Sequence, residues 1–163
     1  MISTSPLIRP PRPDDHDQWL PLWHAYNVFY GHAWGPAGEP PVAPGVTAMT
    51  WGRLFDDAQP LWGLVAEAED GSLLGFTHYL YHLSTNVLGS LCYLEDLFTA
   101  EAARGQGVGR ALIEAVCDAA TAAGAKRVYW QTQGDNATAR RLYDAVAKNS
   151  GAIIYEREIK GGR

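Results

Sequence analysis

A six-residue stretch, Arg104-Gly105-Gln106-Gly107-Val108-Gly109, stands between a strand-like run, Leu91 to Thr99, and a helix-like run, Val108 to Ala123. No other feature restricts the fold as strongly. Closely spaced glycines let backbone N–H groups approach an anion without Cβ obstruction, and they open a helix whose N-terminus carries partial positive charge. Arg104 and Arg110 add full charges at either end. The stretch therefore reads as a phosphate cradle. Its spacing is neither the Gly-x-x-x-x-Gly-Lys-Ser/Thr of nucleotide triphosphatases nor the Gly-x-Gly-x-x-Gly of dinucleotide folds. It is Arg-x-x-Gly-x-Gly.

The rest of the chain alternates β and α signals around this point. Ile2 to Ile8 is a short strand candidate, ended by Arg9-Pro10-Pro11-Arg12-Pro13, with Asp14 and Asp15 placed to cap a helix. Trp19, Leu22, Trp23, Tyr26 and Tyr30 recur with the period of an amphipathic helix, in which Pro21 is tolerable only near the first turn. Gly31 to Gly45, rich in Pro and Gly, reads as a long irregular loop, followed by a helix from about Thr47 to Asp57. Leu61 to Ala68 and Leu73 to Leu83 flank an Asp70-Gly71 turn and predict an antiparallel hairpin. A strand over Val128 to Thr132, reached from the Leu91 to Thr99 strand through a helix, predicts parallel pairing. A helix from near Asn136 places Ala139, Leu142, Tyr143 and Val146 on one face, and Ala152 to Ile159 reads as a last strand. The expected fold is thus α/β, a mixed sheet flanked by about four helices in a single domain spanning residues 1–163.

Composition bounds the function. A length of 163 residues at 47% hydrophobic content supplies one core and little more. A net charge of −5 disfavours nucleic acid, whose binding requires basic surface, and suits a cationic substrate. With no long apolar run and no secretory leader pattern, a cytoplasmic protein without a membrane partner is expected. Cys92 and Cys117 lack metal-site spacing and read as small buried apolar residues. His78 and His82 lie on one strand face but about 13 Å apart, too far to share a metal, so no metal site is expected.

Three segments, Tyr93-Leu94-Glu95-Asp96-Leu97-Phe98-Thr99, the glycine loop and Asn136-Ala137-Thr138-Ala139-Arg140-Arg141-Leu142-Tyr143, resemble in order and spacing the GNAT superfamily of N-acetyltransferases, over about a third of the chain. The Leu-Glu-Asp segment is similar to that of the spermidine/spermine branch, which groups polyamine, diamine and amino acid or histone acetyltransferases. The resemblance implies acetyl-CoA as co-substrate. Its pyrophosphate would sit on Arg104, Gly105, Gln106, Gly107, Val108, Gly109 and Arg110, and its pantetheine arm beside Leu97, Phe98 and Thr99. Asn136 would hydrogen-bond the coenzyme while capping its helix, and Leu97 N–H would polarise the thioester carbonyl.

The chemistry poses two proton problems. A primary amine with pKa about 10.4 is neutral in only about one part in 10³ at pH 7, a cost of about 4 to 5 kcal/mol before attack. The resemblance gives Glu95 the role of base, while Asp96, on the opposite face of an ideal strand, would meet the substrate or an arginine. A phenol with pKa about 10 stays protonated at pH 7 and can return a proton to a leaving thiolate, the role the resemblance gives to Tyr143. Tyr26, Tyr30 and Trp34 are candidate walls for an amine pocket through cation–π contact. A small primary amine is the expected substrate. A protein or peptide acetyltransferase, acting on histone or other N-termini, and a non-catalytic acetyl-CoA-binding protein are the alternatives. Only one strand is predicted after the Tyr143 helix where the superfamily has two, so a homodimer completed through the C-terminal strand is expected.

Overall fold

The computed structural model describes residues 5–159, which divide into two compact units, one ending at Gln131 and the other beginning at Thr132. The first unit is built on a five-stranded sheet in the order β1-β2-β3-β4-β5: Leu7–Arg9, Trp62–Glu67, Leu73–Leu83, Ser90–Thr99 and Val128–Tyr129. The first four strands run antiparallel, and β5 lies parallel to β4. The α-helices described in this unit are α1, His16–Phe29, α2, Pro44–Arg53, and α3, Val108–Ala122.

Strand alternation sorts the side chains to two faces. On one face Val65, Phe76 and Phe98 meet Trp19 and Trp23 of α1 in an aromatic core, with Trp51 of α2 packed on Trp19 at 4.7 Å between ring centroids. Trp23 Nε1 donates to Thr47 Oγ1 at 3.1 Å, so the indole is satisfied while it joins the two helices. On the opposite face, α3 buries Val108, Leu112, Ile113, Val116 and Ala120 at helical spacing, and its Cys117 lies close enough to Cys92 of β4 to help raise that thiol. Burial is the larger cause, and it pushes the Cys92 thiol up to about 11.

Several sequence expectations shift. The first strand is Leu7–Arg9, and residues 1–4 of the expected run lie outside the described residues. The second helix starts and ends earlier, at Pro44 and Arg53, because Pro44 is well placed in a first turn. Pro21 sits in the second turn of α1, where it leaves the Asp17 carbonyl without its i+4 N–H donor. The Asp70-Gly71 turn is not a two-residue loop. Ala68 N–H bonds Ser72 O and Gly71, at φ +83°, bonds Ala68 O, a three-residue connection. Cys117 is half-buried rather than buried.

In the second unit Asn136 caps α4, Ala137–Val146, by accepting from Ala139 N–H at 3.3 Å. Ala139, Leu142, Tyr143 and Val146 form its less exposed face, as their spacing predicts. The expected strand over Ala152 to Ile159 is absent: residues 151–159 carry no ladder and are exposed. The strand expected over Val128 to Thr132 is likewise reduced to Val128–Tyr129.

Candidate active site

The β4 strand does not keep strict alternation. In its pairing with β3, His78 faces Asp96 but Tyr79 faces Leu94, so Glu95 is an extra residue, a β-bulge. The bulge returns Asp96 to the α1 face, opposite His78, three residues after Tyr93, whose surroundings include Asp96, Glu95 and Tyr30. The two-faced alternation expected for Glu95 and Asp96 therefore does not describe this strand. Thr77 Oγ1 donates to the Asp96 carbonyl at 2.7 Å and fixes the backbone just after the bulge.

Around it gathers a group of aromatic and carboxylate side chains. Tyr26 of α1 and Tyr30, which caps that helix, meet at 4.8 Å between centroids with their rings tilted, and the Tyr26 hydroxyl lies close to the Asp96 carboxylate. Burial, reinforced by Asp96, holds the Tyr26 phenol well above its usual range and raises that of Tyr30, and burial with Glu95 nearby pushes Tyr93 up to about 12. Glu95 is exposed over much of its side chain, yet partial desolvation, with Asp96 close by, raises its carboxyl. Such a carboxyl is better matched to accepting a proton near neutral pH than an ordinary one. Trp34 packs edge-on against His24 at 5.0 Å and is about half exposed, so it belongs to a different cluster from Tyr26 and Tyr30.

Sequence reasoning passed over Tyr93 and Tyr129, whose rings meet at 5.0 Å, and His82, whose Nε2 accepts from the Tyr129 hydroxyl at 2.8 Å. It also passed over the partnership of His78 with Asp96. The bulge that aligns them leaves no local signal in residue type.

The glycine loop follows at the C-terminal end of the same strand. Gly105 and Gly107 adopt φ of +74° and +82°, and Gly107 is the N-cap of α3. Neither glycine has a neighbour within 4 Å of where a Cβ would stand, so conformation rather than crowding requires glycine there. The first N–H groups of α3 lack helical acceptors. Arg104 and Arg110 are both exposed, Arg104 near the Phe98 ring at 5.9 Å, and Gln106 Nε2 closes the turn on Ala102 O at 2.9 Å. This open, donor-rich loop fits a pyrophosphate.

A second opening adjoins it. Pairing with β5 extends only over Cys92 and Tyr93, so beyond Tyr93 the β4 edge that holds Leu97, Phe98 and Thr99 has no strand partner on that side among the described residues. An amide-bearing arm can add there as a strand would. No cluster of His, Cys, Asp or Glu suited to a metal occurs among the described residues.

A five-stranded mixed sheet, a bulged fourth strand with one edge open and a glycine-capped anion loop define an acyl-coenzyme A-dependent acetyltransferase fold. The model of the Acetyltransferase (GNAT) family matches residues 19–147, and the chain belongs to that family. It is an acetyl-CoA-dependent N-acetyltransferase of the GNAT type. A D-amino-acid N-acetyltransferase, HPA3 of Saccharomyces cerevisiae (strain ATCC 204508 / S288c), is 34% identical over 96% of this chain and 93% of its own. Among solved structures, aminoglycoside acetyltransferase AAC(6')-Iy with a CoA bisubstrate analogue superposes with a TM-score of 0.75 at 19% identity, covering 96% of this chain and 99% of the other. A ribosomal-protein-alanine N-acetyltransferase from Brucella melitensis biovar Abortus 2308 superposes with a TM-score of 0.74 at 18% identity, covering 94% and 99%. At these identities both speak for the fold alone.

Proposed function

We propose that the protein acetylates the primary amine of a small molecule, and that among small amines a free amino acid is the preferred class. The observation that carries this reading is the meeting of Tyr26, Tyr30 and Tyr93 with Glu95 and Asp96 on one face of the bulged strand. Aromatic faces and carboxylates together suit an ammonium group. The name of the yeast relative favours an amino acid over the polyamines and diamines of the spermidine/spermine branch.

In the proposed reaction the amine nitrogen attacks the thioester carbonyl, a C–N bond forms, the C–S bond breaks, and the acetyl group leaves sulfur for nitrogen. Glu95 takes the amine proton, directly or through water, and Leu97 N–H polarises the carbonyl oxygen. Tyr143 returns a proton to the thiolate, a role that rests on its place seven residues after Asn136 and on phenol chemistry. Arg104, Gly105, Gln106, Gly107, Val108, Gly109 and Arg110 hold the pyrophosphate, and Asn136 adds a coenzyme contact to its capping bond. Residues 1–163 act as one catalytic domain, in the cytoplasm, and a second copy of the chain is the proposed partner of residues 152–159.

The test is free-thiol release from acetyl-CoA against D- and L-amino acids, polyamines, diamines and peptides with free N-termini. Turnover concentrated in the amino acids is expected. Turnover of peptides alone would replace the proposal with a protein acetyltransferase, and acetyl-CoA binding with no turnover anywhere would replace it with a non-catalytic role. With the active amine, Tyr143→Phe is expected to lower kcat about 10²-fold or more while acetyl-CoA affinity stays near wild type.

A further inference from the structure

His78 is buried to 1% exposure beneath the aromatic and carboxylate cluster, yet the reaction above gives it no task. A histidine so deeply placed needs partners for both ring nitrogens. Nδ1 lies 2.9 Å from Asp96 Oδ2, and Trp19 Nε1 lies 3.4 Å from Nε2. An indole N–H can only donate, so Nε2 is the acceptor and carries no proton. Nδ1 is then the protonated nitrogen, and its N–H points at Asp96. Trp19, itself 1% exposed and stacked on Trp23 at 5.4 Å, has no freedom to release this arrangement.

The Tyr26 hydroxyl lies close to the same carboxylate, and the Asp96 backbone is held by Thr77. A short carboxylate on a bulged strand would otherwise swing between rotamers. Here β3 holds both its side chain, through His78, and its backbone, through Thr77, with Tyr26 of α1 close by, while about an eighth of its side chain stays open to solvent. Glu95, next to it, is exposed and carries no such clamp. The two adjacent carboxylates thus sit in contrasting surroundings, a pattern that separates acid–base roles in other sites.

We propose that His78 is a positioning residue: its Nδ1–H, set by the Trp19 indole on the opposite nitrogen, holds the Asp96 carboxylate beside Tyr26 as the anchor for the substrate ammonium. Glu95 is left to take the proton. This assignment rests on the small-amine reading given above. It makes His78 a determinant of amine binding without contact with the amine.

Two measurements test it, one of which needs no turnover. In protein labelled with ¹⁵N-histidine, the His78 ring, assigned by its disappearance in His78→Asn, should show a protonated Nδ1 and an unprotonated Nε2 at neutral pH. An Nε2-protonated or doubly protonated ring would overturn the proposal. The second uses the fastest amine of the thiol-release panel. His78→Asn keeps a side-chain N–H near the place of Nδ1, whereas His78→Leu has none. His78→Leu is expected to raise KM for that amine about tenfold or more with KM for acetyl-CoA unchanged, and His78→Asn to stay within about threefold of wild type. A role in packing alone would reverse the order, since a buried amide is costlier than a buried leucine; that order, or equal losses, would overturn it. A silent panel sinks the proposed acetyl transfer and leaves the ring measurement standing.

Discussion

At the scale of single residues, Asp15 shows how charge secures the start of the fold. Its carboxylate takes a two-pronged contact from Arg9, Nη1 at 2.7 Å and Nη2 at 2.9 Å, and accepts from Arg12 N–H at 2.7 Å. Arg9 also holds Glu67 of β2 through Nε, so one guanidinium ties β1, β2 and the entry to α1. The Arg9 hydrogen bonds hold the Asp15 carboxyl below its ordinary value of 3.8, against a smaller opposing effect of burial. Because the folded value is depressed, the stability this group contributes is present above the unfolded value and is lost as pH falls through the folded one. Asp15→Asn is therefore expected to lower stability by about 2 kcal/mol, or about 4 to 8 °C in Tm, between pH 5 and 8. Thermal melts should show that gap closing below about pH 4; a gap that persists at low pH would assign the loss to packing. Asp15 was legible as a helix-start residue and stands at the N-cap position of α1, but its carboxylate accepts from Arg12 N–H and makes no cap bond to the helix. Its ion pair was not legible, since nothing in Arg9-Pro10-Pro11-Arg12 tells which arginine turns inward.

At the scale of elements, periodicity told most where a single element meets a single core. The α1 stripe, the α3 stripe and the order of the long strands follow the residue pattern closely. What escaped were features set by contacts between elements: the Glu95 bulge, the shortness of β5 and the His78–Asp96 pairing. Alternation assumes an unbroken ladder, and a bulge is placed by the partner strand rather than by its own residues. The glycines of the loop were legible at Gly105 and Gly107, because positive φ is a demand only glycine meets cheaply. The loop also supports a prediction that separates shape from charge. Asn and Asp both enter the left-handed region more readily than other residues, and neither would meet an atom within 4 Å of its Cβ at position 107. Gly107→Asp is then expected to weaken acetyl-CoA binding about tenfold or more by titration calorimetry, and Gly107→Asn markedly less, with the difference shrinking as salt rises. Equal losses in the two variants would mean that backbone shape, not anion repulsion, governs the loop.

At the scale of the whole molecule, residues 152–159 present a problem that one chain does not solve. Ile153, Tyr155 and Ile159 are between 78% and 92% exposed, and the segment has no strand partner among the described residues. Its β-branched and aromatic composition favours a strand, but a strand forms only where a neighbouring edge supplies hydrogen bonds. Among the described residues β1 and β5 are the outer strands of the sheet, and a second copy of the chain carries the same segment and the same outer strands. Reciprocal pairing closes on itself as a two-fold dimer, whereas pairing with an unrelated partner would require that partner to match this edge. Light scattering at about 10 µM is therefore expected to give twice the 17.8 kDa of one chain, and removal of residues 152–163 to give the single-chain mass. A monomeric mass for the intact protein would end the proposal. A dimer that survives the truncation would move the interface away from the C-terminal segment and leave those apolar side chains to be covered by something other than a second copy.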